Sequence, residues 1–391
     1  MTSVGIDTLA VYVPHYVLDL TELAKARGGE VDQYSRGLGQ HKMAVTPPGE
    51  DIVTMAANAA RQALQGISPD TISMLLFATE SGIDQSKAAG MYVHELLQLP
   101  DHCRVVELKQ ACYSGTAALQ LALPYVRHHP DQKILVIASD IARYGLGAQA
   151  ESSQGAGACA MVLSVNPRLI AFDATSGVAT ENAMDFWRPN YLDEAIVEGK
   201  YSSKLYLSML EKTWQQYQKL SHKTFSDHTY FCYHTPVPRL VETAHHSLLK
   251  QCGFKTISKE ESAAQVASSL VYARLMGNSY AAALYVGFAS LLDHAAEDLA
   301  DQRIGFYSYG SGCVAEFFSG VIGSNYKAVL HTAYHANLFN ERHALTHDEY
   351  EAFYRFDGPK DGGDQIIPAY HTGHYRLNRF YQHKRLYEKS E

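Results

Sequence analysis

The chain has 391 residues, 46% hydrophobic and 19% charged, the composition of a folded globular protein with a large core or two packed halves. Its formal charge of −8, with no basic run, argues against a nucleic-acid surface. No stretch of about 18 apolar residues is present, so no membrane span is expected. The opening MTSVGIDTLAVYVP lacks a basic segment ahead of a long apolar run and reads as a strand, not a signal peptide. Cys103, Cys112, Cys159, Cys232, Cys252 and Cys313 are scattered without CxxC pairs, so reduced thiols and a cytoplasmic location are expected.

In chain order, residues 5–13 read as the first strand. Asp51 is placed to cap a helix whose apolar face carries Ile52, Met55, Ala56, Ala59, Ala60 and Ala63, with Gly66 as its stop. Residues 72–79 form a continuous apolar run, as a strand buried on both faces does, and Glu80 follows its end. A helix is expected over 86–97, a short strand over 104–108, and a second helix over about 113–127 that Pro124 should kink or end early. Residues 133–139 and 158–164 read as buried strands, with a loop over 148–157 between them. Strands alternating with helices imply an α/β fold on a parallel or mixed sheet.

The second half echoes the first. GNSYAAALYVGFASLL (277–292) parallels CYSGTAALQLALPYV (112–126), and the strands 303–309 and 313–319, joined at Gly310-Ser311-Gly312, parallel 133–139 and 158–164. Residues 340–391, rich in His, Tyr, Arg and Asp, are expected to form surface-covering helices and an irregular end. Among 19 histidines, His331/His335 and His343/His347 have helical i,i+4 spacing; with no convergent carboxylate or cysteine set they read as surface-helix pairs, and no metal site is expected.

The segment Lys109-Gln110-Ala111-Cys112-Tyr113-Ser114-Gly115-Thr116 carries the clearest chemical signal. It places a cysteine where a turn enters a helix, flanked by small residues that leave room for a thioester arm. Helix N-termini favour anions, so a nucleophilic thiolate is expected at Cys112; the competing reading is a buried structural cysteine. Glu80, beyond an apolar strand, sits where α/β active sites collect and could serve as a general base or as a solvated loop residue. His234, in FCYHTP, follows another strand and could donate to a carbonyl. Asn278 could hold a carbonyl oxygen or cap its helix. Gly310-Ser311-Gly312 could bring backbone N–H groups to a ligand or form a turn. Together these residues suit acyl transfer with carbon–carbon bond formation.

The segments GLGQHKMAV, FATESGIDQSKAA, ELKQACYSGTAALQLA, LVIASDIARYGL, SSQGAGACAMVL, MDFWRP, YHTP, GNSYAAALYVGFASLL and FYSYGSGCVAEFFSG, in this order and nearly end to end, resemble the bacterial-type hydroxymethylglutaryl-CoA synthase family. The resemblance implies a thiolase-like fold, a five-layered α/β/α/β/α body with internal duplication, divided into halves 1–166 and 167–391 and paired as a homodimer. It implies condensation of acetyl-CoA with acetoacetyl-CoA and water in the mevalonate pathway, through acetyl-Cys112. Glu80 matches the family's base and acid, His234 the group that polarises the acetoacetyl carbonyl, and Asn278 an asparagine near that group. Asp140, Tyr144, Asp185, Tyr309 and Ser311 match positions around the substrate, with the Ser311 N–H resembling an oxyanion-hole donor. CoA thioesters are substrates, and no cofactor is implied.

The stretch after His-x-Pro departs from the mevalonate enzymes. It is usually lysine-rich to meet CoA phosphates; here Arg239 keeps one cation and Glu242 stands where another would be expected. ESGID, YHTP and Gly312-Cys313 also resemble the polyketide β-branching synthases, which use an acyl carrier protein; docking such an acidic partner would need an exposed basic patch. Two further alternatives are a decarboxylative Cys-His-Asn condensation, for which Glu80 would be superfluous, and a catalytically dead thioester-binding scaffold.

Overall fold

The structure is a computed structural model describing residues 2–390. Ten strands form one sheet: β1 (Val4–Tyr12), β2 (Ile72–Ala78), β3 (Arg104–Leu108), β4 (Lys133–Ala142), β5 (Gly155–Val165), β6 (Ile170–Phe172), β7 (Gly177–Thr180), β8 (Tyr230–Tyr233), β9 (Arg303–Gly310) and β10 (Val314–Ile322). Their order is β8-β9-β10-β6-β1-β5-β4-β2-β3, with β7 on β10. The pairing repeats itself. In the first half β2 runs parallel to β4, which is antiparallel to β5, which is antiparallel to β1. In the second half β8, β9, β10 and β6 follow the same pattern. The halves meet where β1 pairs with β6, Gly5 opposite Ala171. β3 is an extra strand in the first half and leaves one sheet edge unpaired.

The helices Ser114–His128 and Ala283–His294 hold corresponding places in the two halves and lie between them. Ser114–His128 packs on β2, β4 and β5, yet its Gln120, and Tyr113 just before it, donate to Glu316 on β10 of the other half. Ala283–His294 packs on β8 and β9, and also on β1 and β5. Tyr285 and Thr116 share a hydroxyl hydrogen bond of 2.8 Å between the two helices. Outer helices complete the layers: Ile52–Ala63 covers β1, β4 and β5, and Gly199–Ser221 covers β7 and β10. This is the duplicated thiolase-like arrangement. Asp51 caps Ile52–Ala63 in a capping box with Thr54, a contribution of about 1 kcal/mol.

Several expectations are corrected. The helix does not end at Pro124 but runs to His128, because Leu119, Leu123 and Val126 are buried on the same face and hold the last turn despite the missing N–H. Residues 155–157 are not a loop but the start of β5, facing Ala142, Ile141 and Asp140. Their glycines serve close packing: a Cβ on Gly155 would lie 2.3 Å from the Met276 carbonyl oxygen. After the polar entry Gly277-Asn278-Ser279, the second-half helix opens with a short 3-10 turn, Tyr280–Ala282, and becomes α-helical at Ala283.

The tail does contain the helix His347–Tyr354, but its end is a hairpin, Tyr375–Tyr381 with Lys384–Lys389, joined by Gln365–Ile366. Tyr375 and Leu377 face inward there, an alternation masked in sequence by the arginines between and beyond them. His335 is not on the surface: it is buried, bonds Asp293 at 2.7 Å and accepts from the Val11 N–H. His343 lies in a short strand beside Tyr16–Asp19, not on a helix with His347.

Candidate active site

Glu80 and His234 occupy equivalent places in the repeat. Each lies just beyond the end of a strand, β2 and β8, whose partners are the corresponding strands β4 and β9. Cys112 lies two residues before the helix Ser114–His128 and donates its Sγ–H to Glu80 Oε1 at 2.9 Å. Gly310 at the end of β9 lets the second half approach this turn; a Cβ there would meet the Tyr113 nitrogen at 2.5 Å.

A cavity of about 150 Å³ opens on Cys112, with Tyr144, His234, Asn278, Tyr309 and Ser311 in its wall. Six residues that the sequence proposes for chemistry therefore come together from both halves. Tyr206, Phe186, Val237 and Leu240 make the rest of the wall largely apolar.

The electrostatics differ from the sequence expectation at the nucleophile. Burial first, then the adjacent Glu80, push the Cys112 thiol well above its ordinary value. The helix N-terminus does not offset this, so the resting group is a thiol that donates a hydrogen bond to Glu80, not a thiolate. Burial and the neighbouring Asp140 raise the Glu80 carboxyl to about 8, against the pull of the Cys112 hydrogen bond and of Arg188. Burial lowers His234 to about 3, so its imidazole is neutral at physiological pH. Its backbone is fixed, N–H to the Tyr307 carbonyl and carbonyl to the Tyr206 hydroxyl, while Nδ1 is buried without a partner among the described residues.

Two carboxylates hold the turns around the site. Asp140, fully buried, accepts from the Thr79 hydroxyl at 2.7 Å, from the Glu80 and Ser81 N–H groups at 2.9 and 3.0 Å, and from the Ala281 N–H at 3.0 Å. It ties the turn carrying Glu80 to the segment after Asn278. Asp185, also fully buried, accepts from the Tyr309 hydroxyl at 2.6 Å, the Gly312 N–H at 2.9 Å and the Ser202 hydroxyl at 3.0 Å. It thereby holds the turn containing Ser311, whose carbonyl accepts from Gln110 at 3.2 Å. Asn278 both caps and reaches: its Oδ1 accepts from the Tyr280 N–H, and its Nδ2 donates to the Tyr144 hydroxyl at 3.1 Å.

Arg239 is not brought to this group. Its guanidinium donates to the Arg36 carbonyl and to Glu242, which also binds Arg274 at 2.7 Å. Glu242 is buried between two arginines, so an acidic residue there neutralises cations from within the protein. Sequence reasoning missed Arg188, which donates to the Glu80 carbonyl, as well as Gln110 and Tyr206. Arg188 and Gln110 lie inside the motifs DFWRP and KQACYS; Tyr206 lies in a helix whose pattern shows burial only.

Comparison with known proteins fits this geometry. The hydroxymethylglutaryl-coenzyme A synthase N-terminal family matches residues 1–168, and its C-terminal family matches 170–252 and 244–384. The hydroxymethylglutaryl-CoA synthase of Enterococcus faecalis is 39% identical over 353 residues, 90% of this chain and 91% of that protein. The polyketide biosynthesis 3-hydroxy-3-methylglutaryl-ACP synthase PksG of Bacillus subtilis is 35% identical over 378 residues, 92% of this chain and 89% of that one. A crystal structure of HMG-CoA synthase complexed with CoA superposes with a TM-score of 0.94 at 37% identity, covering 99% of this chain and 100% of that one. On these matches, and on a duplicated fold that sets Cys112 and His234 in the wall of one cavity with Glu80 hydrogen-bonded to Cys112, the chain belongs to the hydroxymethylglutaryl-CoA synthase family.

Proposed function

We propose that this protein condenses acetyl-CoA with acetoacetyl-CoA and water to give 3-hydroxy-3-methylglutaryl-CoA and CoA, through an acetyl group on Cys112. The observation that carries the reading is the Cys112–Glu80 hydrogen bond, a thiol paired with a carboxyl held at about 8. As Sγ attacks acetyl-CoA, Glu80 takes the thiol proton and returns it to the departing CoA sulfur. As a carboxylate again, Glu80 removes a proton from the acetyl methyl. The resulting enolate attacks the acetoacetyl carbonyl, which neutral His234 polarises by a hydrogen bond, and Glu80 protonates the alkoxide. Water then cleaves the Cys112 thioester. Asn278 and Tyr144 orient the second acyl group, with the Ser311 N–H as oxyanion donor. Asp140 and Asp185 are positioning residues. Tyr309 acts with Asp185 on the same turn.

Division of labour follows the repeat: residues 1–166 supply nucleophile and base, and 167–391 supply His234 and Asn278. All six cysteines are unpaired, which supports a reducing compartment, the cytoplasm. A role in the mevalonate pathway follows from the CoA-linked product.

The test offers the acetoacetyl group on CoA and on an acyl carrier protein in parallel, with acetyl-CoA as donor. We expect efficient turnover of the CoA form. Consumption of the carrier-bound form alone would move the protein to polyketide β-branching and overturn the CoA reading.

The assembly is a homodimer built on the free edge of β3. That edge exposes Val106, 47% accessible, and the adjacent helix exposes Leu121, 60% accessible, an apolar display that pairing with a second copy would cover. Val106→Lys is expected to shift the protein from dimer to monomer in light scattering; a wild-type monomer would sink this assembly.

A further inference from the structure

A second cavity, of about 240 Å³, lies beside the first; Glu80 is in its wall and Cys112 is not. It runs from the exposed Asp193 and Asp357 inward to Glu50 and Glu80. Arg143, Arg188, Thr46 and Ala195 also line it. Phe186 and Tyr280 are common to both cavities and form a partition between them. Glu50 is buried. Its Oε1 accepts from Tyr12 at 2.6 Å, and its Oε2 meets no partner among the described residues, which in a polar cavity of this size is a position for ordered water.

The chemistry proposed above needs a water molecule at one moment only, after condensation. At that moment the Cys112 cavity is filled by the second substrate's thioester arm, and its wall is largely apolar. We propose that the second cavity is the inlet for the hydrolytic water, delivering it to Glu80 from the side opposite the thioester arm. The inference rests on the condensation reading. Having protonated the alkoxide, Glu80 is a carboxylate and takes a proton from the water. The water oxygen attacks the Cys112 thioester carbonyl and the C–S bond breaks. The proton held by Glu80 goes to the departing sulfur, which leaves a free carboxylate on the product and a thiol on Cys112; the second proton is released with ionisation of the carboxyl.

Filling the inlet without touching the Cys112 cavity should separate hydrolysis from the earlier steps. In Ala195→Leu, and independently in Thr46→Phe on a separate segment, acetylation of Cys112 by acetyl-CoA and a single round of acetoacetyl-CoA consumption are expected at wild-type rates. Hydrolysis is expected to slow at least about tenfold, with the condensed acyl group accumulating on Cys112 in intact-protein mass spectrometry. Unchanged hydrolysis in a folded variant would overturn the inlet. Failure of the wild-type protein to take an acetyl group on Cys112, or to condense it, would instead overturn the condensation reading.

Discussion

Glu80→Ala is expected to fold normally and to lose turnover by roughly 10²–10⁴-fold, the range for removing a positioned acid–base group. Among the described residues the side chain's one hydrogen bond is to Cys112, so little of the fold depends on it; Asp140 holds the turn through backbone N–H groups instead. A readout specific to the base is solvent exchange of the acetyl methyl protons: the wild-type protein should exchange them for deuterium, and the variant should not. Undiminished condensation would favour the decarboxylative alternative, which needs no base. The same carboxyl predicts the pH profile. Its value is raised to about 8, so the proton-accepting form is scarce at pH 6 and grows as pH rises. Turnover should therefore increase with pH through about 8. His234, lowered to about 3, stays neutral across this window and adds no second rise. A flat profile between pH 6 and 9 would contradict Glu80 as the limiting base.

Cys112→Ser should keep the fold, since the two side chains differ little in size, and should lose acetyl transfer by roughly three orders of magnitude or more. The thiol is already held well above its ordinary value by burial and by Glu80. A serine hydroxyl would start higher still, beyond what a carboxyl near 8 can deprotonate during attack. Intact mass after mixing with acetyl-CoA should show an adduct on the wild type and none on the variant. Because the two groups act as a unit, the double variant Cys112→Ser/Glu80→Ala should be little slower than the worse single one. Wild-type turnover by the serine variant would remove Cys112 from the mechanism.

The legible part of the site lay in short, local signals. Glu80 and His234 follow apolar strands, and Cys112 stands at a helix entry among small residues; their neighbours made each a candidate, and the family resemblance singled out His234 among 19 histidines. The strand and helix order likewise followed from burial patterns. What escaped was whatever depends on distant chain. The thiolate expectation at Cys112 used the helix it enters and not the carboxylate that arrives from residue 80. The partners of Arg239, the Arg36 carbonyl and a buried Glu242, come from segments the local pattern does not link. Asp140 and Asp185 could be matched to motifs, yet the N–H groups they accept belong to three separate turns. The hairpin Tyr375–Tyr381 with Lys384–Lys389 was hidden because its inward residues are interleaved with arginine and asparagine, which blur an alternating pattern over so few positions.

The equivalence of Glu80 and His234 at the ends of matching strands bears on how such a catalyst can arise. A single half-length unit paired with its own copy must carry the same side chain at both strand ends: two acids or two imidazoles, never one of each. Once the two copies are fused in one chain, either end can mutate while the other keeps its role. A proton acceptor poised near neutrality and a donor uncharged at neutral pH can then face one substrate. The backbone keeps its near-symmetry because packing rewards it, whereas the chemistry has none, because removing a proton and polarising a carbonyl are opposite tasks.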